Sequence, residues 1–167
     1  MRKEVHVTQL SEEAPPIRAF SNKKVSVEII EELLNAASQT PRFGHQQPGS
    51  FIVIQNEGLL RCISNEIKQP YFDAFYGAST LIIVCSEEEG TTRDCALMAK
   101  NLKLAALAFG LETYPIGRAR DVLHSVHYRH ELAIPTHTTP ILPIVVGYPK
   151  ANSDKAYRNP VVVNWKR

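Results

Sequence analysis

The chain has 167 residues, 44% of them hydrophobic and 22% charged, which fits one globular domain with a sizeable core and excludes a disordered chain. A formal net charge of +2 is too small an excess to argue for a nucleic-acid or membrane surface. Cys62, Cys85 and Cys95 are an odd set with no close pairing, no CxxC spacing and no signal peptide ahead of them, so a cytoplasmic protein is expected, with Cys85 and Cys95 as small core residues. The longest apolar run, Leu104 to Gly110, falls far short of the ~20 residues a bilayer requires.

Residues 1–16 are polar and end in Pro15-Pro16, an arm with little regular structure. From Val25 the pattern turns helical: Ile29, Ile30, Leu33, Leu34 and Ala37 share one face, with Glu28, Glu31, Glu32 and Asn35 opposite. Ser26 is the expected N-cap, and Pro41 ends the helix. A polar loop then leads to a short buried strand, Phe51 to Gln55. Held between two rigid elements, that loop is well placed to offer backbone and amide groups to a flat ligand. A second helix is expected over Glu57 to Ile67, and a second strand over Leu81 to Cys85.

Thr91 and Asp94 have capping-box spacing and open a helix from Arg93 to Phe109. It is apolar on nearly all sides, so it must be buried from more than one direction, inside the domain or at a subunit interface. Gly110 suits its C-terminal stop. Leu111 to Gly117 reads as a compact turn-rich segment, and Arg120 to Leu132 as one polar helix. Ile141 to Gly147 is a third strand whose Pro143 implies an edge or a bulge. The β-prone tail Val161-Val162-Val163 needs a sheet edge in its own subunit or a neighbour's. No linker divides residues 1–167, and the alternation of elements gives an α/β or α+β sandwich.

Several segments, taken in order, resemble the FMN-dependent nitroreductase family. Ile17-Arg18-Ala19-Phe20 is similar to its opening segment, and Gly44-His45-Gln46-Gln47-Pro48 to its Gly-Asn-Gln-Gln-Pro loop. Phe75-Tyr76-Gly77-Ala78 resembles the entry to its middle strand. Asp94-Cys95-Ala96-Leu97, Asn101-Leu102 and Leu104-Ala105-Ala106 look like its central helix. Gly110-Leu111, Ile116-Gly117 and Gly147-Tyr148-Pro149, with Arg158, complete the run.

The resemblance implies an α+β fold: a mixed, mainly antiparallel sheet flanked by helices. It also implies a homodimer holding FMN in two interface clefts, with the C-terminal extension, residues 150–167, packing on the partner subunit. The implied activity is electron transfer from NAD(P)H through flavin to a small acceptor such as a nitroaromatic or quinone. Flavin carries the electrons itself, so no side chain is assigned as catalytic. Arg18 falls where a guanidinium would stabilise the anion of the reduced ring. Pro41, Arg42, Phe43 and His45 belong to the cofactor loop, and Tyr114, Pro115, Ile116 and Gly117 are expected to line the flavin through backbone groups. Arg158 sits where the family places a basic residue against the phosphate.

The chain departs from the family at named positions. Ala14 and Pro16 stand in place of the Arg-x-Ser that holds the phosphate. Losing such a charge-assisted contact costs about 1.5–3 kcal/mol, or roughly one to two decades in dissociation constant. Arg42, Arg158 or both are the candidates to supply the missing charge. His45 replaces an amide and can copy one of its hydrogen bonds but not both. Phe43 is placed to stack on the ring or crowd it, and Gly49 replaces a common tryptophan, removing bulk. These changes leave a second reading open, a degenerate pocket that binds flavin or another ligand without turnover. A metal site is not expected: His124, His127 and His130 have helical spacing but no evident Cys or carboxylate partners.

Overall fold

The strand Thr80–Ser86 is buried along its whole length, as a run of Leu, Ile and Val covered on both sides must be. A computed structural model of the chain describes residues 19–40, 49–67, 73–87 and 92–150, together with Val163 and Trp165. In chain order the elements are α1 (Val27–Ser38), β1 (Gly49–Ile54), α2 (Glu57–Glu66), β2 (Thr80–Ser86), α3 (Thr92–Ala108), β3 (Glu112–Pro115), α4 (Ala119–Leu123), α5 (Val126–Glu131) and β4 (Thr139–Gly147). The four strands form one sheet in the order β1-β2-β4-β3, and every pairing among the described residues is antiparallel.

Alternation along β2 divides the core in two. Leu81, Ile83 and Cys85 share a cluster with Ile54, Val145, Leu60 and Ile63 of α2, Phe75, and Ala119 and Leu123 of α4. Ile82 and Val84 turn to the opposite face, where they meet Ile144, Val146, Leu33 of α1, and Met98, Leu102 and Ala106 of α3. The architecture is therefore a three-layer α+β sandwich, as the sequence leads one to expect.

Local chemistry explains the boundaries. The Ser26 hydroxyl accepts from the Ile29 N–H at 3.4 Å and caps α1, while Asn56 Oδ1 accepts from Leu59 at 2.9 Å and caps α2. The expected Thr91 cap of α3 lies outside the described residues. That helix packs in two directions, on the sheet and on α1, yet Leu97 and Phe109 remain exposed on the single chain. Among the described residues no helix is long and apolar enough to cross a membrane.

Two expectations change. The segment Leu111 to Gly117 is not simply a turn: Glu112 to Pro115 pair with Gly147 to Ile144 as strand β3, and only its end turns. Four residues between a glycine and a proline carry too short a pattern to be read as a strand. The expected helix Arg120 to Leu132 is two helices, because Ser125 takes extended angles and caps α5 through the Tyr128 N–H. In β4, which lies between β2 and β3, the expectation of an edge or a bulge at Pro143 is met by a bulge. Val84 pairs with Leu142 and Cys85 with Pro140, which leaves Ile141 as the extra residue. Pro143 is tolerated because its carbonyl faces Ile116 just past the end of β3, where the ladder needs no further N–H from it.

Candidate functional site

The chain leaving Arg18 is fixed from its next residue onward. Lys150 N–H donates to the Ala19 carbonyl at 3.0 Å, Ser21 N–H to that of Tyr148 at 2.8 Å, and Phe20 N–H to that of Tyr76 at 2.9 Å. Phe20 is fully buried, and its ring covers Gly147 so closely that a Cβ there would lie 3.1 Å from Phe20 Cδ1. Further on, the Ser79 hydroxyl donates to the Lys23 carbonyl at 3.0 Å, and Gln55 Nε2 to that of Val25 at 2.8 Å. The segment 19–25 is thus stitched along the turn that precedes β2.

That turn is organised by one carboxylate. Asp73 Oδ1 accepts from the Ser64 hydroxyl and the Phe75 N–H, and Oδ2 from the Gly77 N–H at 2.7 Å. Tyr76 and Gly77 take left-handed backbone angles, φ 55° and 83°. The Tyr76 ring meets Tyr114 edge-on, with centroids 5.4 Å apart.

Tyr114, Pro115, Ile116 and Gly117 form the end of β3 and the turn beyond it. Ile116 is buried and its N–H donates to the Pro143 carbonyl at 2.9 Å, whereas Pro115 and Gly117 are exposed and Tyr114 is half-buried. A Cβ built on Gly117 would meet nothing within 4 Å, so the turn is open at that position. Arg18, Pro41, Arg42, Phe43, His45 and Arg158 lie outside the described residues.

The two stems of the 41–48 loop are described. Asn101 Nδ2 donates to Thr40 Oγ1 at 2.9 Å, and the Thr40 hydroxyl donates to Ala37 O at 2.7 Å. At the other stem, a Cβ on Gly49 would lie 2.7 Å from Met98 Cε. The glycine therefore leaves no void; Met98 fills the space beside it. Gly49 aligns through Ser86 with Thr139, and Pro115 with Ile144, on opposite edges of the sheet. Three strand spacings across and five residues along place the loop stem and the β3 turn of one chain roughly 20 Å apart.

Among the described residues, the two buried thiols are poor nucleophiles. Burial pushes the Cys85 thiol up to about 12 and the Cys95 thiol up to about 11, so both are neutral at ordinary pH. Glu112 is buried, its Oε2 has no hydrogen-bond partner among the described residues, and burial raises its pKa. His124 Nε2 lies 2.8 Å from the Pro140 carbonyl, and the His127 ring packs on Tyr128. Among the described residues no group of three His, Cys, Asp or Glu side chains is placed to hold a metal. A cavity of about 680 Å³ between α2 and residues 73–79 is lined by Asn22, Arg61, Ser64, Asp73, Phe75 and Gly77. It does not include the β3 turn, and its Asp73 is already occupied by three donors.

Sequence reasoning named Tyr76 and Asn101 only as motif matches and gave no role to them, to Asp73 or to Met98. Only the Tyr76-Gly77 pair carried a signal, as a candidate left-handed turn, because a short polar residue or a glycine is the usual occupant of such angles.

The family model for the nitroreductase family matches residues 16–148. The chain belongs to the nitroreductase family, a family of oxidoreductases. A Methanothermobacter thermautotrophicus protein provisionally named NADH dehydrogenase/NAD(P)H nitroreductase is 30% identical over 147 residues, covering 81% of this chain and 73% of its own length. An Archaeoglobus fulgidus protein of the same provisional name is 28% identical over 145 residues, covering 83% and 82%. Among solved structures, a Bacteroides fragilis nitroreductase with bound FMN superposes with a TM-score of 0.84 at 18% identity, covering 98% of this chain and all of its own. A Clostridium difficile FMN-dependent nitroreductase gives 0.83 at 24% identity, covering 94% and 97%. At these identities the superpositions establish the fold.

Proposed function

We propose that the chain is an FMN-dependent oxidoreductase that works as a homodimer, taking electrons from NAD(P)H and delivering them to a small acceptor such as a nitroaromatic or quinone. The observation that carries the reading is the placement of the loop stems and the β3 turn at opposite sheet edges of a single chain. A cleft that uses both the 41–48 loop and Tyr114–Gly117 needs the loop of one subunit against the turn of another. Leu97 on α3 and Phe109 just beyond its end, with Val163 and Trp165 of the C-terminal extension, are exposed on the single chain and suit such an interface. All of residues 1–167 then act as one domain, with residues 1–16 as an arm and residues 150–167 as an extension onto the partner.

Bound FMN would supply the hydride and electron chemistry, accepting from the nicotinamide and donating to the acceptor. The chain's own part is to hold and orient. Tyr114 to Gly117 line one side of the ring, and Arg18 compensates negative charge at its pyrimidine end. Pro41, Arg42, Phe43 and His45 would close the cleft from the partner, and Arg42, Arg158 or both would hold the phosphate. Free thiols at Cys62, Cys85 and Cys95 are consistent with a reducing, cytoplasmic setting.

Purified protein should be yellow, or become so with added FMN, and should oxidise NAD(P)H in the presence of a nitroaromatic or quinone. Colourless protein that takes up no FMN would reject the proposal. FMN uptake without NAD(P)H oxidation would favour the second reading, a binding protein, for which Ala14 and Pro16 in place of phosphate-holding side chains are the motive.

A further inference from the structure

The cavity of about 680 Å³ between α2 and the turn at residues 73–79 also takes in Asn22 of the stitched segment. Its volume lies within the ~300–1,000 Å³ usual for small-molecule sites. It shares no lining residue with the Tyr114–Gly117 turn or with the stems of the 41–48 loop.

Its polar groups fall into two sets, and the first is satisfied by the protein. Asp73 accepts three hydrogen bonds. The Ser64 hydroxyl donates to that carboxylate and accepts the Ala74 N–H at 3.0 Å, and Glu57 is paired with Lys24 at 3.0 Å. The second set is uncommitted. Among the described residues the Arg61 guanidinium makes no hydrogen bond or ion pair, and Glu57 feels its charge only beyond ion-pair contact. The side-chain amides of Asn22 and Asn65 also have no partner among the described residues.

Arg61 and Lys24 offset Glu57 and Asp73 in formal charge, so the charge left without a partner at the cavity is the guanidinium. Arg61 and Asn65 stand one helical turn apart on α2, within reach of one ligand, while Asn22 lines the cavity from the 19–25 segment. A guanidinium fork matches the oxygens of a carboxylate or phosphate in bidentate fashion. Leu60, Ile67, Phe75 and Ala78 make the rest of the lining apolar, which suits a ligand with a hydrocarbon or aromatic body. What separates Arg61 from an ordinary surface arginine is this concave setting and the two idle amides around it.

We propose that the cavity binds a small organic oxyanion, a carboxylate or phosphate ester on an apolar body, anchored by Arg61 and supported by Asn22 and Asn65. Occupancy of this cavity does not depend on FMN binding.

The test titrates the full chain with benzoate, phenyl phosphate, inorganic phosphate and benzylamine, with and without saturating FMN. Melting temperature and calorimetric dissociation constant are read. Benzoate or phenyl phosphate should raise the melting temperature, with FMN present as without it. The tighter of the two tells whether the oxyanion is a carboxylate or a phosphate. Inorganic phosphate, lacking the apolar body, should bind more weakly, and benzylamine should not bind. Arg61→Ala, at an exposed helix position that alanine favours, should keep the unliganded melting temperature and bind the anion roughly ten- to hundredfold more weakly. Asn65→Asp sets a carboxylate where the anion docks and should weaken binding as well.

No binding of benzoate or phenyl phosphate at millimolar concentration would overturn the proposal, as would equal affinity in wild type and Arg61→Ala. Loss of the signal under saturating FMN would move the anion to the flavin cleft and overturn it too. So would benzylamine binding as tightly as either organic anion, or inorganic phosphate as tightly as phenyl phosphate. Should Arg61→Ala fold poorly, Asn65→Asp gives the decision: undiminished anion affinity in that variant refutes the site.

Discussion

Gly77 and Gly110 both have left-handed angles, φ 83° and 67°, but they differ in what a methyl group would meet. At Gly110 a Cβ has nothing within 4 Å, so Gly110→Ala bears the backbone cost alone, about 1–2 kcal/mol. At Gly77 the Cβ would sit 3.0 Å from the Phe20 carbonyl oxygen, a backbone atom that cannot rotate away. Relief requires the 19–21 segment to retreat, weakening the Phe20 to Tyr76 and Ser21 to Tyr148 hydrogen bonds, each worth about 0.5–1.5 kcal/mol net. Gly77→Ala should then cost about 3 kcal/mol against about 1.5 for Gly110→Ala. For a chain of this size these correspond to melting-temperature losses of roughly 9 °C and 4–5 °C. Differential scanning fluorimetry with urea titration of both apoproteins reads the difference. Because the retreating segment leads to Arg18, Gly77→Ala should also weaken FMN binding, while Gly110→Ala should not. Equal thermal losses, or equal FMN affinities, would refute the claim that the turn holds the 19–21 segment in place.

Burial raises the Glu112 carboxyl above its ordinary 4.5, so the folded state keeps a proton that the unfolded state releases. Stability should therefore fall as pH rises from about 4.5 through the folded value. Glu112→Gln should remove that slope and be the more stable protein at neutral pH, and urea melts across pH 4–8 showing parallel curves for the two would count against it. Arg42→Ala and Arg158→Ala should each weaken FMN binding by about tenfold if both replace the missing phosphate contacts, and wild-type affinity in both would end that idea. Brief alkylation of the native protein should modify Cys62 and spare the buried Cys85 and Cys95, as peptide mass mapping can read; equal labelling of all three would contradict the described core.

Much of the fold was legible because burial writes itself into periodicity. The 3.6-residue pattern of α1 and its Ser26 cap, and the unbroken apolar run of β2, each depend on residues close together in sequence. The short strand β3 was not legible, since its four residues become a strand only by pairing with β4, more than twenty positions away. Nor was the break at Ser125, because a serine within a polar stretch fits a helix interior or a cap equally well until Tyr128 is pulled into the core. Of the candidate site, the order of short motifs indicated Tyr114 to Gly117 and the 41–48 loop. The contacts of Asp73 and Tyr76 were not legible because they are hydrogen bonds and ring contacts between separate segments.

By itself the sequence determined the class of fold and the family, since these follow from local pattern and ordered motifs. Only the tertiary structure decided that Met98 fills the space beside Gly49 and that a strained tyrosine joins the Arg18 segment to the β3 turn. The same structure put the two halves of the proposed cleft on opposite edges of one sheet. The reason is physical: strand order and side-chain proximity are set by the packing of both core layers at once, and no local stretch of chain encodes them.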